Sequence, residues 1–205
     1  MNQPESGLRR GEPGERYDIV TIASSAGGIR ALTQVLGGLP ADFPVPVLVV
    51  QHLDRRHETV IAQVLGRRSV LKVKLAEANE RATPGTVYVA PPNRHLLVGA
   101  GGELTLTSTE LVHFVRPSAD LLFESAAGAY GSRAIACVLT GTGSDGAMGV
   151  SAVKSRGGTV IAEDPESAEF NGMPVAAVGT GSVDFVLPLV EIAAVIRGLV
   201  EARRS

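Results

Sequence analysis

With 205 residues, 44% of them hydrophobic and 20% charged, the chain has a folded-protein composition and the length for one full core rather than two. A net charge of −2, with no basic block interleaved with aromatics, gives no electrostatic case for binding nucleic acid. A single cysteine, Cys137, excludes an internal disulfide, and no apolar run approaches the about 20 residues of a membrane span.

Residues 1–16 carry charge, proline and glycine without apolar periodicity and read as a flexible tail, leaving 17–205 as the folded domain. Nothing at the start has a signal-peptide pattern, so a soluble, cytoplasmic, monomeric protein without membrane insertion is expected. From Tyr17 an apolar strand runs into Ala23-Ser24-Ser25-Ala26-Gly27-Gly28, and an amphipathic helix, Ile29 to Leu36, follows at once. A second apolar run, Val45 to Val50, completes a βαβ unit and ends in Gln51-His52-Leu53-Asp54, ahead of a helical stretch from His57 to Leu65.

Between Val70 and Leu106 the texture changes to short alternating runs, Val70–Leu75, Thr86–Val89, His95–Val98 and Leu104–Leu106, separated by Pro/Gly turns. These predict antiparallel hairpins in or at the edge of the sheet, hence a mixed sheet. From Pro117 the α/β rhythm resumes with a helix over Ser118–Tyr130 and a strand over Ala134–Thr140, then a turn from Gly141 to Gly146 and a helix to Ser155. A strand over Thr159–Ala162, a loop through Asn171-Gly172-Met173-Pro174, a strand over Val183–Leu187 and a final helix from Pro188 to Ala202 follow. The pattern predicts a three-layer α/β/α fold with a doubly wound, mostly parallel sheet and an antiparallel hairpin.

In such a sheet the loops at the carboxyl ends of the strands converge on one crevice, so Ser25, His52 and Asp145 can meet there. Serine is a weak nucleophile until an imidazole takes its proton, and a carboxylate on the other ring nitrogen orients that imidazole. Each residue also has a plainer reading. Ser25 can cap the helix after Gly27, Asp145 can cap the helix after Gly146, and His52 can be an ordinary loop residue. Nucleotide binding is a poorer reading of the glycine-rich turns, because the dinucleotide fingerprint lacks its first glycine and no P-loop lysine is present. The four histidines show no metal-ligand spacing, so no metal is expected. Cys137, inside an apolar run, reads as a buried small residue.

Six blocks in order resemble the catalytic domain of bacterial chemotaxis protein-glutamate methylesterases of the CheB type. They are Ala23–Gly28, Val50-Gln51-His52, Ala90-Pro91-Pro92-Asn93-Arg94-His95-Leu96, Arg116–Ser125, Leu139–Gly146 and Asn171-Gly172-Met173-Pro174. The resemblance implies the doubly wound fold and places the nucleophile on Ser25, the histidine on His52 and the aspartate on Asp145. It further implies hydrolysis of γ-glutamyl methyl esters on chemoreceptor cytoplasmic helices, often with deamidation of glutamines, and no cofactor. The oxyanion site is expected at the amides around Ala26 and Gly27 and in the Thr142 loop. Arg94, His95 and Arg116 are expected either as rim and receptor-docking residues or as structural ones.

The chain departs from the family pattern at Ala23 and Ala26, where glycine and threonine are usual, and at Thr142, where methionine is common. The family's usual receiver domain would precede Tyr17, where only about 16 residues stand, so control by such a domain is expected to lie outside this chain. A receptor-binding module with weakened catalysis and a hydrolase acting on a different ester are the two competing expectations.

Overall fold

A computed structural model describes residues 16–53 and 59–202. The expected tail therefore lies outside the described residues except for Arg16, as do Asp54 and the start of the helix expected from His57. The elements alternate along the chain as β1 (Ile19–Ser24), α1 (Gly28–Gly37), β2 (Val47–Gln51), α2 (Ile61–Gly66), β3 (Lys72–Leu75) and β4 (Thr86–Val89). The hairpin strands β5 (His95–Val98) and β6 (Leu104–Thr107) come next, then α3 (Ala119–Tyr130), β7 (Ala134–Val138), α4 (Ala147–Ser155) and β8 (Thr159–Glu163). The chain closes with α5 (Gly172–Gly179), β9 (Phe185–Leu187) and α6 (Leu189–Ala202).

The main sheet has seven strands in the order β3-β4-β2-β1-β7-β8-β9. Every pairing in it is parallel. β1, β2 and β7 are continuous Val/Ile/Ala/Leu runs because both of their faces are covered. On one face, α1, α2 and α6 pack through residues such as Leu32, Leu36, Leu65, Ile192 and Ile196. On the other, α3 and α4 with the β5–β6 hairpin pack through Leu96, Leu104, Leu122, Phe123, Val150 and Val153. α1 buries Ala31, Leu32, Val35 and Leu36, the one-sided spacing of an amphipathic helix.

The expectation of a mixed sheet is corrected. β3 and β4 pair in parallel inside the main sheet, and the antiparallel pair β5–β6 forms its own two-stranded ribbon. That ribbon is seated on α3, where the Val98 amide donates to Ser125 Oγ at 3.2 Å. A helix also occupies the stretch read as a loop through Asn171 and Pro174. Pro174 falls in the first turn of α5, where a missing amide hydrogen costs no helical bond.

The connection after β1 leads to α1 on one face, and the connection after β7 leads to α4 on the other. The carboxyl ends of β1 and β7 are thus neighbours whose loops part to opposite sides, the crevice at which open α/β sheets bind ligands.

Candidate active site

Ser25 is the first residue beyond β1. Its amide donates to the Thr140 carbonyl at 3.0 Å, tying the turn to the end of β7. The chain then turns through Gly27, at φ 74°, the left-handed region that favours glycine. Gly27 is the N-cap of α1, and no side chain caps that helix, so the Ser25 hydroxyl is not spent on capping. The next glycine has a different reason: a Cβ on Gly28 would lie 2.0 Å from Gln51 Oε1. Among the described residues, no acceptor takes the Ala26 or Gly27 amide, which leaves two donors at the helix start for a ligand.

Gln51, the last residue of β2, is buried and joins the two loops. Its Oε1 accepts from Ser24 Oγ at 2.7 Å, and its Nε2 donates to the carbonyls of Ser25 at 2.8 Å and His52 at 2.9 Å. The backbones of the serine turn and the histidine loop are thereby held by one amide. Only the block Val50-Gln51-His52 hinted at such a residue, because nothing in a local sequence says what a strand-end glutamine reaches.

His52 Nε2 lies 2.8 Å from Asp145 Oδ2, with side chains 13% and 4% exposed. Ser25, Gln51 and His52 line one open cleft, rimmed by Arg30 and Glu169. The structure thus joins His52 to Asp145 directly and places Ser25 beside His52 in that cleft. It holds no Ser25 to His52 hydrogen bond, and catalytic bonds of this kind often tighten only when substrate is bound.

Asp145 is not the cap of the helix that follows it. α4 is N-capped by Gly146, and the Asp145 carboxylate instead faces the start of α3. There it accepts from Ser118 Oγ at 2.8 Å and from the amides of Ala119 at 2.6 Å and Asp120 at 3.2 Å. Burial opposes its charge, but the His52 hydrogen bond and these amides outweigh burial and hold the carboxyl below its ordinary value.

The residues expected at the rim separate. His95 is fully buried: its Nδ1 accepts from the Ser118 amide at 3.1 Å, so Nε2 carries the proton and donates to the Glu110 carbonyl at 3.0 Å. It braces the α3 start and does not reach a rim. Arg116 borders the His52 side of the cleft with Leu53 and Phe114. Its guanidinium is committed to Asn93 Oδ1 at 2.7 and 3.0 Å and to the carbonyls of Ser108 and Thr109. Arg94 is exposed and donates to Ser108 Oγ at 2.7 Å. Thr142 is exposed in the loop after β7.

Two further residues had no local signal. Thr140 Oγ1 donates to the carbonyls of Ala26 and Phe170 and accepts from the Phe170 amide, joining three loops. Glu163, at the end of β8 and 2% exposed, accepts from the Thr140 amide at 2.7 Å. Burial, with Glu169 nearby, raises its carboxyl above the usual range. Burial also raises the Cys137 thiol, which is inert. Among the described residues, no three His, Cys, Asp or Glu side chains are grouped to hold a metal, and no helix is long and apolar enough to cross a membrane.

The profile of the CheB methylesterase family matches residues 20–196. A Thermotoga maritima protein named protein-glutamate methylesterase/protein-glutamine glutaminase is 41% identical over 184 residues, 88% of this chain and 54% of its own length. Protein-glutamate methylesterase FrzG of Myxococcus xanthus is 40% identical over 193 residues, 94% of this chain. The chain spans 58% of that protein, whereas a Leptospira interrogans relative, 41% identical, is covered over 92% of its length. The crystal structure of the Thermotoga maritima CheB methylesterase catalytic domain superposes with a TM-score of 0.86 at 40% identity, covering 90% of this chain and all of that one. The family profile, the sequence identities and the superposition place this chain in the CheB methylesterase family.

Proposed function

We propose that this domain is a serine hydrolase that removes methyl groups from γ-glutamyl methyl esters on the cytoplasmic helices of chemoreceptors, and deamidates glutamines at equivalent positions. The observation that carries the reading is the 2.8 Å His52–Asp145 hydrogen bond beside the Ser25 turn, in a chain of this family. The names of its relatives supply the substrate class.

Asp145 occupies Nε2 of His52, so Nδ1 is the basic nitrogen. It takes the Ser25 proton as Oγ attacks the γ-carbonyl carbon, while ionised Asp145 steadies the imidazolium. The amides of Ala26 and Gly27, with the Thr142 loop, stabilise the oxyanion; one such donor is worth about 10²–10³ in kcat. Collapse of the intermediate breaks the carbon–methoxy bond and His52 returns the proton, so methanol leaves. A water deprotonated by His52 then hydrolyses the acyl-serine and frees glutamate. With glutamine the leaving group is ammonia.

Incubating the domain with a methyl-labelled receptor cytoplasmic domain and measuring methanol tests the reading. Ser25→Ala is expected to lower release by about 10⁴-fold or more with an unchanged melting temperature. Binding without release would identify a receptor-binding module, and neither binding nor release would point to a different ester. Release that persists in Ser25→Ala sinks the assignment of the nucleophile.

A further inference from the structure

Two aspartates stand at the contact between α3 and α4, and each accepts hydrogen bonds at the start of the helix on the other's side. Asp145, just ahead of α4, serves α3, and Asp120, within α3, serves α4. Asp145, immediately before α4, accepts from the Ala119 and Asp120 amides at the start of α3. Asp120, in the first turn of α3, accepts at one oxygen, Oδ1, from the amides of Gly146 at 3.0 Å and Gly149 at 2.8 Å at the start of α4. Neither helix has a cap from its own N-terminal side chain. The crossed arrangement satisfies orphan amides at both starts and sets each carboxylate against a positive helix end.

The Gly146 amide follows directly on Asp145, so the Asp120 carboxylate holds the backbone that aims the Asp145 side chain at His52. Gly149 allows the approach: a Cβ there would lie 3.1 Å from the Asp120 carbonyl and 2.6 Å from Phe123 Cβ. Asp120 is 2% exposed, and its second oxygen, Oδ2, makes no hydrogen bond and faces His113 Nε2 at 3.1 Å. A buried carboxylate is a costly way to finish a helix that a serine or asparagine could cap. Its placement is explained by the short geometric chain Asp120–Gly146–Asp145–His52.

We infer that Asp120 is a positioning residue of the hydrolase, keeping Asp145 in line with His52 Nε2 through the Gly146 and Gly149 amides. The inference rests on the His52–Asp145 pair acting in hydrolysis as proposed above. What Asp120 supplies is an acceptor at one point in space, so a neutral isostere substitutes for it and a longer carboxylate does not.

The test compares Asp120→Asn, Asp120→Glu and Asp120→Ala in the whole chain, with thermal melts to establish that each is folded. Two readouts are taken. Proton NMR follows the downfield Nε2–H resonance of His52, assigned by its loss in His52→Gln, and needs no substrate. Steady-state methanol release gives kcat and KM separately. Asp120→Ala and Asp120→Glu are expected to lose or shift the resonance and to lower kcat by about tenfold to a hundredfold, with KM within about twofold. Asp120→Asn, which keeps an oxygen for both amides, is expected to restore both readouts; should the alanine variant fail to fold, the asparagine and glutamate pair decides. An unchanged resonance and kcat in Asp120→Glu, or equal losses in Asp120→Asn and Asp120→Glu, overturns the inference. A wild-type spectrum without the resonance is a different failure, since it removes the His52–Asp145 pair itself.

Discussion

Gln51 shows how much of the Ser25 turn is held by a side chain outside the proposed chemistry. Replacing it with leucine strands the Ser24 hydroxyl and the Ser25 and His52 carbonyls without their buried partner. Gln51→Leu is therefore expected to cost about 1–3 kcal/mol in denaturant unfolding and to lower activity by more than the unfolded fraction explains. Two buried carboxyls respond to pH with opposite sign. The value of Asp145 is lowered in the folded state, so its stabilisation is complete above about 3.9 and is lost as pH falls through the depressed value. The advantage of the wild type over Asp145→Asn should shrink in that acid range. The value of Glu163 is raised by burial, so its contribution is complete below about 4.3 and is lost as pH rises through the elevated value. Glu163→Gln, which still accepts from Thr140, should gain on the wild type in urea titrations as pH rises above about 4.3. The positions of Ser25, His52 and Asp145 at strand ends were legible because parallel strands announce themselves as apolar runs. The burial of His95 was not, because its partners, Ser118 and Glu110, come from segments that no local pattern links to it.

At the scale of elements, the β1–α1 turn is the place where backbone and chemistry meet most closely. Gly28→Ala places a methyl group on Gln51, and the side chain must leave either Ser24 or the Ser25 carbonyl. A loss of about 1–3 kcal/mol is expected, with activity falling alongside; chemical denaturation and methanol release check it. Periodicity gave the β1–α1–β2 unit, the α3–β7–α4–β8 run and the hairpin strands to within a few residues. It failed for β3 and β4, whose short runs look like hairpin strands. Whether two strands run parallel depends on the path between them, and the connection 76–85 carries the chain back to the amino end of the sheet without a helix to signal it. The alternation in β3 has a simple cause: it is an edge strand, with Lys72 exposed and Lys74 paired to Glu77 and Glu80. α5 was missed because glycine, proline and a short apolar run also describe a loop.

Across the whole molecule the sheet divides the interior into two cores, one on each of its faces. Phe43 lies before β2 at the amino edge of the sheet, in the core under α1 and α6. Phe123 lies in the other core and packs against Gly146 and Gly149, beneath the residues that aim Asp145. Both side chains are essentially inaccessible to solvent, so truncation of either to alanine should cost about 3–5 kcal/mol. Only Phe123→Ala should also depress kcat in the folded fraction, a contrast measured by melts and methanol release below both melting temperatures. The overall architecture could be read from the alternation of elements because each strand is short and each helix has one apolar face. The crossed aspartates could not, since helix-capping rules look one turn along the chain and these caps reach from one helix to another.

The position of β1 in the middle of the sheet also sets the order in which the protein becomes active at the ribosome. Its partner on one side, β2, emerges soon after it, while β7, on the other side, is made only after the hairpin and α3. A nascent chain that has reached α3 therefore carries Ser25 and His52 beside an open strand edge, with Asp145 not yet synthesised. On the mechanism proposed above, ester hydrolysis cannot begin until that edge is closed, because Asp145 follows β7 in the chain.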